Sequence, residues 1–228
     1  AVVKLGDRVR LEGNGRSSIG EVVRVDENEA TVKPFDGRFP VGIGMVAHLM
    51  GAMSISPAPA WKGRVINALG EPIDDRGPLA RGEHAMPVDV APPPAMLRER
   101  IGKPLKTGVR VIDLFTPFCQ GQRIGIFAGS GVGKSTLLSM LARSTAFDTV
   151  VIALVGERGR EVREFLEGPL AENLPRSVTV VSTGDESPMM RRLALLSATS
   201  IAEYFRDRGE SVLLIADSVT RYAHAARD

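Results

Sequence analysis

Cysteine is almost absent from this chain, with Cys119 the only one. An internal disulfide framework and a cysteine-rich zinc site are therefore excluded, and a reduced, cytoplasmic compartment is the natural reading. Histidine is scarce as well. His48, His84 and His224 lie far apart without metal-ligand spacing, so each reads as an ordinary surface or packed residue. No charge sign dominates: 29 Lys and Arg against 27 Asp and Glu leave a net charge of +2. The general basic field that would recruit nucleic acid or a membrane surface is missing. No apolar run approaches the length of a membrane span, and no basic-then-apolar signal opens the chain. The first residue is Ala1 and not Met, which reads as a trimmed start.

Proline is nearly missing from the second half: twelve of the fifteen precede residue 128. The long helices and buried strands are therefore expected there. Residues 1–53 instead carry short alternating or β-branched runs at Arg8–Leu11, Glu21–Val25 and Ala30–Lys33. Gly13-Asn14-Gly15 and Asp26-Glu27-Asn28 punctuate them as turns. That spacing predicts a small antiparallel barrel or sandwich. Residues 54–94, rich in Pro and Gly, read as an extended connector with a short hairpin around Asn67–Pro72. Over residues 95–228 strand and helix alternate. Val150–Val155, Val178–Ser182 and Val212–Ala216 are apolar runs suited to strands buried on both faces of a parallel sheet. Helical patterns are expected at Ser135–Ser144, at Glu161–Asn173 with a break near Pro169, and at Ser187–Arg208. The fold class is α/β: a small N-terminal β-barrel, then a doubly wound P-loop core whose mostly parallel sheet looks unfinished at Asp228.

The chemistry concentrates at residues 128–136, Ala-Gly-Ser-Gly-Val-Gly-Lys-Ser-Thr, after the apolar run Ile124–Phe127. A strand feeding a glycine-rich loop that opens a helix is the context of a P-loop. Glycines let backbone N–H groups turn inward around phosphate oxygens, and the helix N-terminus adds partial positive charge. Gly129, Ser130, Gly131, Val132, Gly133, Lys134, Ser135 and Thr136 are the nucleotide-binding candidates. Lys134 places a cation on the β- and γ-phosphates, and Ser135 offers a hydroxyl to Mg²⁺. Ala128 stands where the strict pattern has a first glycine, and it is small enough for the turn.

Asp217 ends an apolar strand, the position of the carboxylate that sits beside Mg²⁺ in P-loop enzymes; a helix N-cap is its plainer role. Gly156-Glu157-Arg158-Gly159-Arg160-Glu161 follows the strand after the P-loop helix, on the same sheet edge. Glu157 is the candidate that orients and deprotonates an attacking water. Arg158 and Arg221 are candidates for the terminal phosphate, and Glu161 for the outer shell of the metal. The plainer reading of 157–161 is a solvated, salt-bridged helix start. Asp185-Glu186-Ser187-Pro188 reads as a helix cap, and Arg191 and Arg192 as solvated arginines.

Taken together, Gly131–Ser135, Gly156–Glu161 and Asp217-Ser218-Val219-Thr220-Arg221 resemble the motif order of the rotary-ATPase catalytic subunits. More narrowly they resemble the type III protein-export ATPases of flagella and injectisomes. Lys106–Asp113, Gly63–Asp74 and Ala202–Asp207 fit as well, so the resemblance covers essentially the whole chain. It implies ATP hydrolysis with Mg²⁺, a homo-hexameric ring with sites between subunits, and a RecA-like core over residues 95–228. Glu157 falls on the catalytic glutamate, Lys134, Ser135 and Asp217 on phosphate and Mg²⁺ positions, and Arg158 and Arg221 on arginines near the γ-phosphate. Implied partners are the flagellar export apparatus, stalk and regulator proteins, export substrates and chaperones. The implied place is the cytoplasm, peripheral to the export gate at the inner face of the plasma membrane. Flagellar export is the main reading and injectisome secretion its alternative. The resemblance also puts an arginine finger, the adenine pocket and a C-terminal helical domain beyond Asp228, so the chain reads as a fragment.

Two rivals remain at this stage. A non-catalytic nucleotide-binding subunit would commonly carry Gln at the position of Glu157. A hexameric nucleic-acid motor would offer aromatic stacking platforms in a basic groove; residues 1–60 hold only Phe35 and Phe39 as aromatics.

Overall fold

β-branched alternation in the first fifty residues produces four antiparallel strands: β1 (Asp7–Gly13), β2 (Arg16–Val25), β3 (Ala30–Pro34) and β4 (Val46–Ala52). The structure is a computed structural model and describes residues 2–13, 15–129 and 131–227. Strand order is β3-β2-β1-β4. Val9 and Leu11, two apart on β1, point the same way and meet Val22 of β2 in a small core. The centre of the 13–15 turn, Asn14, lies outside the described residues.

The stretch after β4 is tied down on both sides. β5 (Ser54–Ile55) pairs with β7 (Met86–Pro87), and β6 (Val65–Asn67) joins the large sheet downstream. The Asn67 side chain accepts the N–H groups of Leu69 and Glu71, both at 2.9 Å, which shapes the expected hairpin. Arg64 donates Nε and Nη2 to the Asp74 carboxylate at 2.7 and 2.8 Å, and the N–H of Val65 adds a bond at 3.0 Å. Foremost through Arg64, these bonds hold the Asp74 carboxyl well below the usual carboxylate range.

The second sheet is parallel throughout, in the order β12-β10-β11-β6, from β10 (Thr149–Glu157), β11 (Ser177–Thr183) and β12 (Val212–Asp217). Both faces are covered, which explains the unbroken apolar runs. Val150, Ile152 and Leu154 face α1 (Arg110–Phe115), α2 (Lys134–Ala142) and α3 (Gly159–Glu167). Val151, Ala153 and Val155 face α4 (Pro188–Asp207). Each fully buried Val or Ile there contributes about 1.5–3 kcal/mol relative to exposure. Ser187 caps α4, its hydroxyl accepting the N–H of Met190 at 3.3 Å and donating to the carbonyl of Phe35 at 2.7 Å. α5 (Val219–Ala225) follows β12, and the short strands β8 (Pro104–Leu105) and β9 (Phe118–Cys119) pair antiparallel outside both large sheets.

Three expectations are corrected. Ile124–Phe127 is not a strand: it belongs to none of the sheets, and Phe127 is 97% exposed. A four-residue run broken by Gly125 becomes a strand only through a partner ladder, and among the described residues it has none. The Glu161 helix stops at Glu167, not Asn173. Gly168 takes the C-cap and a 3₁₀ turn, Ala171–Arg176, replaces the last stretch. Arg191 and Arg192 are not simply solvated. Arg192 Nη2 holds both oxygens of Glu21 on β2, at 2.7 and 3.0 Å. The Nε of Arg191 is buried without a hydrogen-bond partner among the described residues.

Candidate nucleotide site

Parallel pairing brings the ends of β10, β11 and β12 to one edge of the sheet. Leu154 lies opposite Asp217, and Glu157 opposite Thr183. Ligands of open α/β sheets bind at this edge. The loop before α2 arrives there too. Gly131 (φ 75°) and Gly133 (φ 99°) adopt left-handed conformations that other residues avoid. A Cβ on either would meet no atom within 4 Å, so the backbone angle and not crowding demands glycine. Ser130 lies outside the described residues.

Lys134 opens α2 and forms an ion pair with Asp217 at the end of β12. Side by side they line a cleft of about 290 Å³ together with Ser135, Glu157 and Glu161. Phe165 and Pro169 form its apolar wall. The sequence reading missed both, although Val162, Phe165 and Leu166 mark an inward face of α3 by their spacing. Gly129, Gly131, Val132, Gly133 and Thr136 are not among the lining residues. Arg158 stays largely in solvent, 3.7 Å from Glu161.

Glu157 sits in the most structured part of the site. Arg221, on α5, donates Nη1 to Glu157 Oε2 at 2.7 Å and to the carbonyl of Gly156 at 2.5 Å. Gly156 (φ 72°) makes room for this: a Cβ there would stand 2.8 Å from Arg221 Cδ. Burial raises the Glu157 carboxyl above its ordinary value. Arg221 opposes this, while Glu161 and Asp217 push the same way as burial. Glu161 moves down, chiefly through its hydrogen bond with Glu157. One carboxylate is thus kept ionised beside another that binds a proton more readily, the arrangement that suits a general base. At the neighbouring strand end Glu186 receives the hydroxyl of Ser182 at 2.7 Å, and burial raises it as well.

The donor set fits a hard divalent cation only in part-protein form. No preformed cluster of three metal-ligating side chains exists among the described residues. Mg²⁺ characteristically takes one or two carboxylates and completes its shell with water and phosphate. Ser135, Asp217 and Glu161 in one cleft match that pattern.

Fold and site together define a P-loop nucleotide-binding core. Residues 108–228 match the nucleotide-binding domain of the ATP synthase alpha/beta family, and the chain belongs to that family. It is 57% identical to the flagellum-specific ATP synthase of Agrobacterium fabrum, over 99% of this chain and 48% of that protein. The type 3 secretion system ATPase of Xanthomonas euvesicatoria is 46% identical over 91% of this chain and 47% of its own length. Among solved structures, the assembled ATPase EscN with its central stalk EscO, from enteropathogenic E. coli, superposes with a TM-score of 0.91 at 41% identity. It covers all of this chain and 56% of that one. The chain spans about half the length of the curated relatives it matches. Among the described residues, no helix is long and apolar enough to cross a membrane.

Proposed function

We propose that this chain is the P-loop part of a ring-forming ATPase that hydrolyses ATP to energise flagellar type III protein export. The observation that carries the reading is the one cleft that gathers Lys134, Ser135, Asp217, Glu157 and Glu161 at the sheet edge. The higher identity to flagellar relatives supports export by the flagellum over injectisome secretion. Glu157 argues against a non-catalytic subunit, and the balanced charge against a nucleic-acid motor.

In this reading the loop amides from Gly129 to Thr136 hold the phosphates, and Lys134 leaves Asp217 to meet the β- and γ-oxygens. The Ser135 hydroxyl and the Asp217 carboxylate would hold Mg²⁺, and Glu161 would join its outer shell. The chemistry supplied by such an ion would be neutralisation of charge on the phosphate oxygens. Glu157 orients a water and takes its proton while Arg221 fixes the carboxylate, and Arg158 approaches the terminal phosphate. Residues 1–53 are read as a small N-terminal β-barrel, 54–94 as the connector and 95–228 as part of the RecA-like domain. The assembly is a homo-hexamer on a stalk, in the cytoplasm and peripheral to the membrane export gate. It works there with regulator proteins, chaperones and export substrates.

Lys134→Ala removes the cation from the cradle, and MgATP binding or hydrolysis should be lost. Wild-type affinity and rate in that variant would overturn the assignment.

A further inference from the structure

A second cleft, of about 320 Å³, shares no lining residue with the first and lies between β1 and residues 79–85. Two guanidinium-bearing residues, Arg8 and Arg81, line it beside Ser54 and Ser56, and no lining residue is acidic. Trp61 and Leu79 supply apolar surface. Its wall is built in. Trp61 Nε1 donates to the carbonyl of Ala80 at 2.7 Å, and the N–H of Gly82 donates to the carbonyl of Ser56 at 2.9 Å. A Cβ on Gly82 would stand 1.9 Å from the Pro57 oxygen, so only glycine lets the strap lie this close. Arg8 Nη2 is anchored on the carbonyl of Ala52 at 3.2 Å, while its Nε is buried with no partner among the described residues. A buried donor left unmatched is costly.

We propose that this cleft binds an anion carried on an apolar body, a carboxylate or phosphate monoester whose tail rests against Trp61 and Leu79. The planar fork of a guanidinium suits carboxylate and phosphate oxygens, and Arg8 and Arg81 supply two such forks in a cleft with no acidic lining residue. Burial lowers the Arg8 guanidinium from its ordinary value, and Glu21, opposite it on β2, is held by Arg192. The volume of the cleft lies at the lower end of the range for small-molecule sites.

Trp61 is the only tryptophan of the sequence, and its emission reports on the cleft directly. Hexanoate and hexyl phosphate, titrated at low salt, should each change that emission saturably. Hexanol, which lacks the anion, should bind about tenfold or more weakly, and Arg8→Gln and Arg81→Gln should each lose a similar factor. Arg81 is exposed, so its variant leaves the fold intact, with circular dichroism as the check. A response that does not saturate would overturn the proposal. So would hexanol binding as tightly as hexanoate, or undiminished binding by folded Arg81→Gln.

Discussion

Glu157→Gln separates turnover from affinity. The amide keeps the shape of the carboxylate, and its oxygen can still accept the 2.7 Å bond from Arg221. What disappears is the negative charge that draws a proton from the attacking water. General-base action is worth about 10²–10⁴-fold, or roughly 2.7–5.5 kcal/mol of barrier, and hydrolysis should fall by that much. Nucleotide affinity should survive, because the loop, Lys134 and Asp217 are untouched. The pH profile adds a second signature. Only the ionised carboxylate is a base, and burial raises its pKa. The wild-type rate should therefore climb with pH through a midpoint above the ordinary glutamate value of about 4.3, and the Gln variant should lack that limb. Single-turnover hydrolysis across pH, alongside equilibrium nucleotide binding, measures both. Unchanged turnover would refute the assignment and move the base to Glu161 or Glu186. Joint loss of binding and turnover would show that Glu157 holds the β10–α3 junction together instead.

Gly156→Ala should act through Arg221. The left-handed backbone costs about 1–2 kcal/mol with a Cβ, and the new methyl would meet Arg221 Cδ at 2.8 Å. Lower thermal stability and a fall in turnover in step with loss of the Arg221–Glu157 contact are the expected outcome, read by calorimetry and a hydrolysis assay. Asp74→Asn should destabilise the protein by about 3 kcal/mol, since Arg64 is left buried without its counter-charge. Because Asp74 is depressed in the folded state, its stabilisation is complete above the unfolded pKa of about 3.9 and fades as pH falls through the lower folded value. Denaturant unfolding at neutral and acid pH should show the variant gap narrowing only below about pH 4.

What could be seen in the sequence was local. The strands β10 and β11 announced themselves because burial on both faces favours successive apolar and β-branched residues, β12 showed itself as a short apolar run, and parallel pairing placed Glu157 and Asp217 on one edge as expected. The P-loop showed itself through residue types that a bland turn does not need. Pairing and distance were hidden. Ile124–Phe127 has strand-like composition, but only a neighbouring ladder turns such a run into a strand. Arg192 looks solvated on a helical wheel, because its partner Glu21 lies 171 residues upstream. Arg158 shares a motif with Glu157, yet as the N-cap of α3 it stands largely in solvent beside Glu161 and is not among the residues that line the cleft.

α4 ties together parts of the chain made at very different times. Arg192 reaches Glu21, Ser187 the Phe35 carbonyl, Ser197 the Ala68 carbonyl and Ser200 the Pro87 carbonyl, across 113 to 171 residues. Trp61 and Ile66 share one buried cluster with Ile201 and Phe205 of the same helix. At synthesis rates of 5–20 residues per second, those early groups wait roughly 6–34 seconds for their cover. During that interval the nascent chain presents Trp61 and Ile66 to whatever apolar surface is nearby. The finished packing of residues 53–88 is thus a late event in the life of the chain, even though those residues leave the ribosome well before α4.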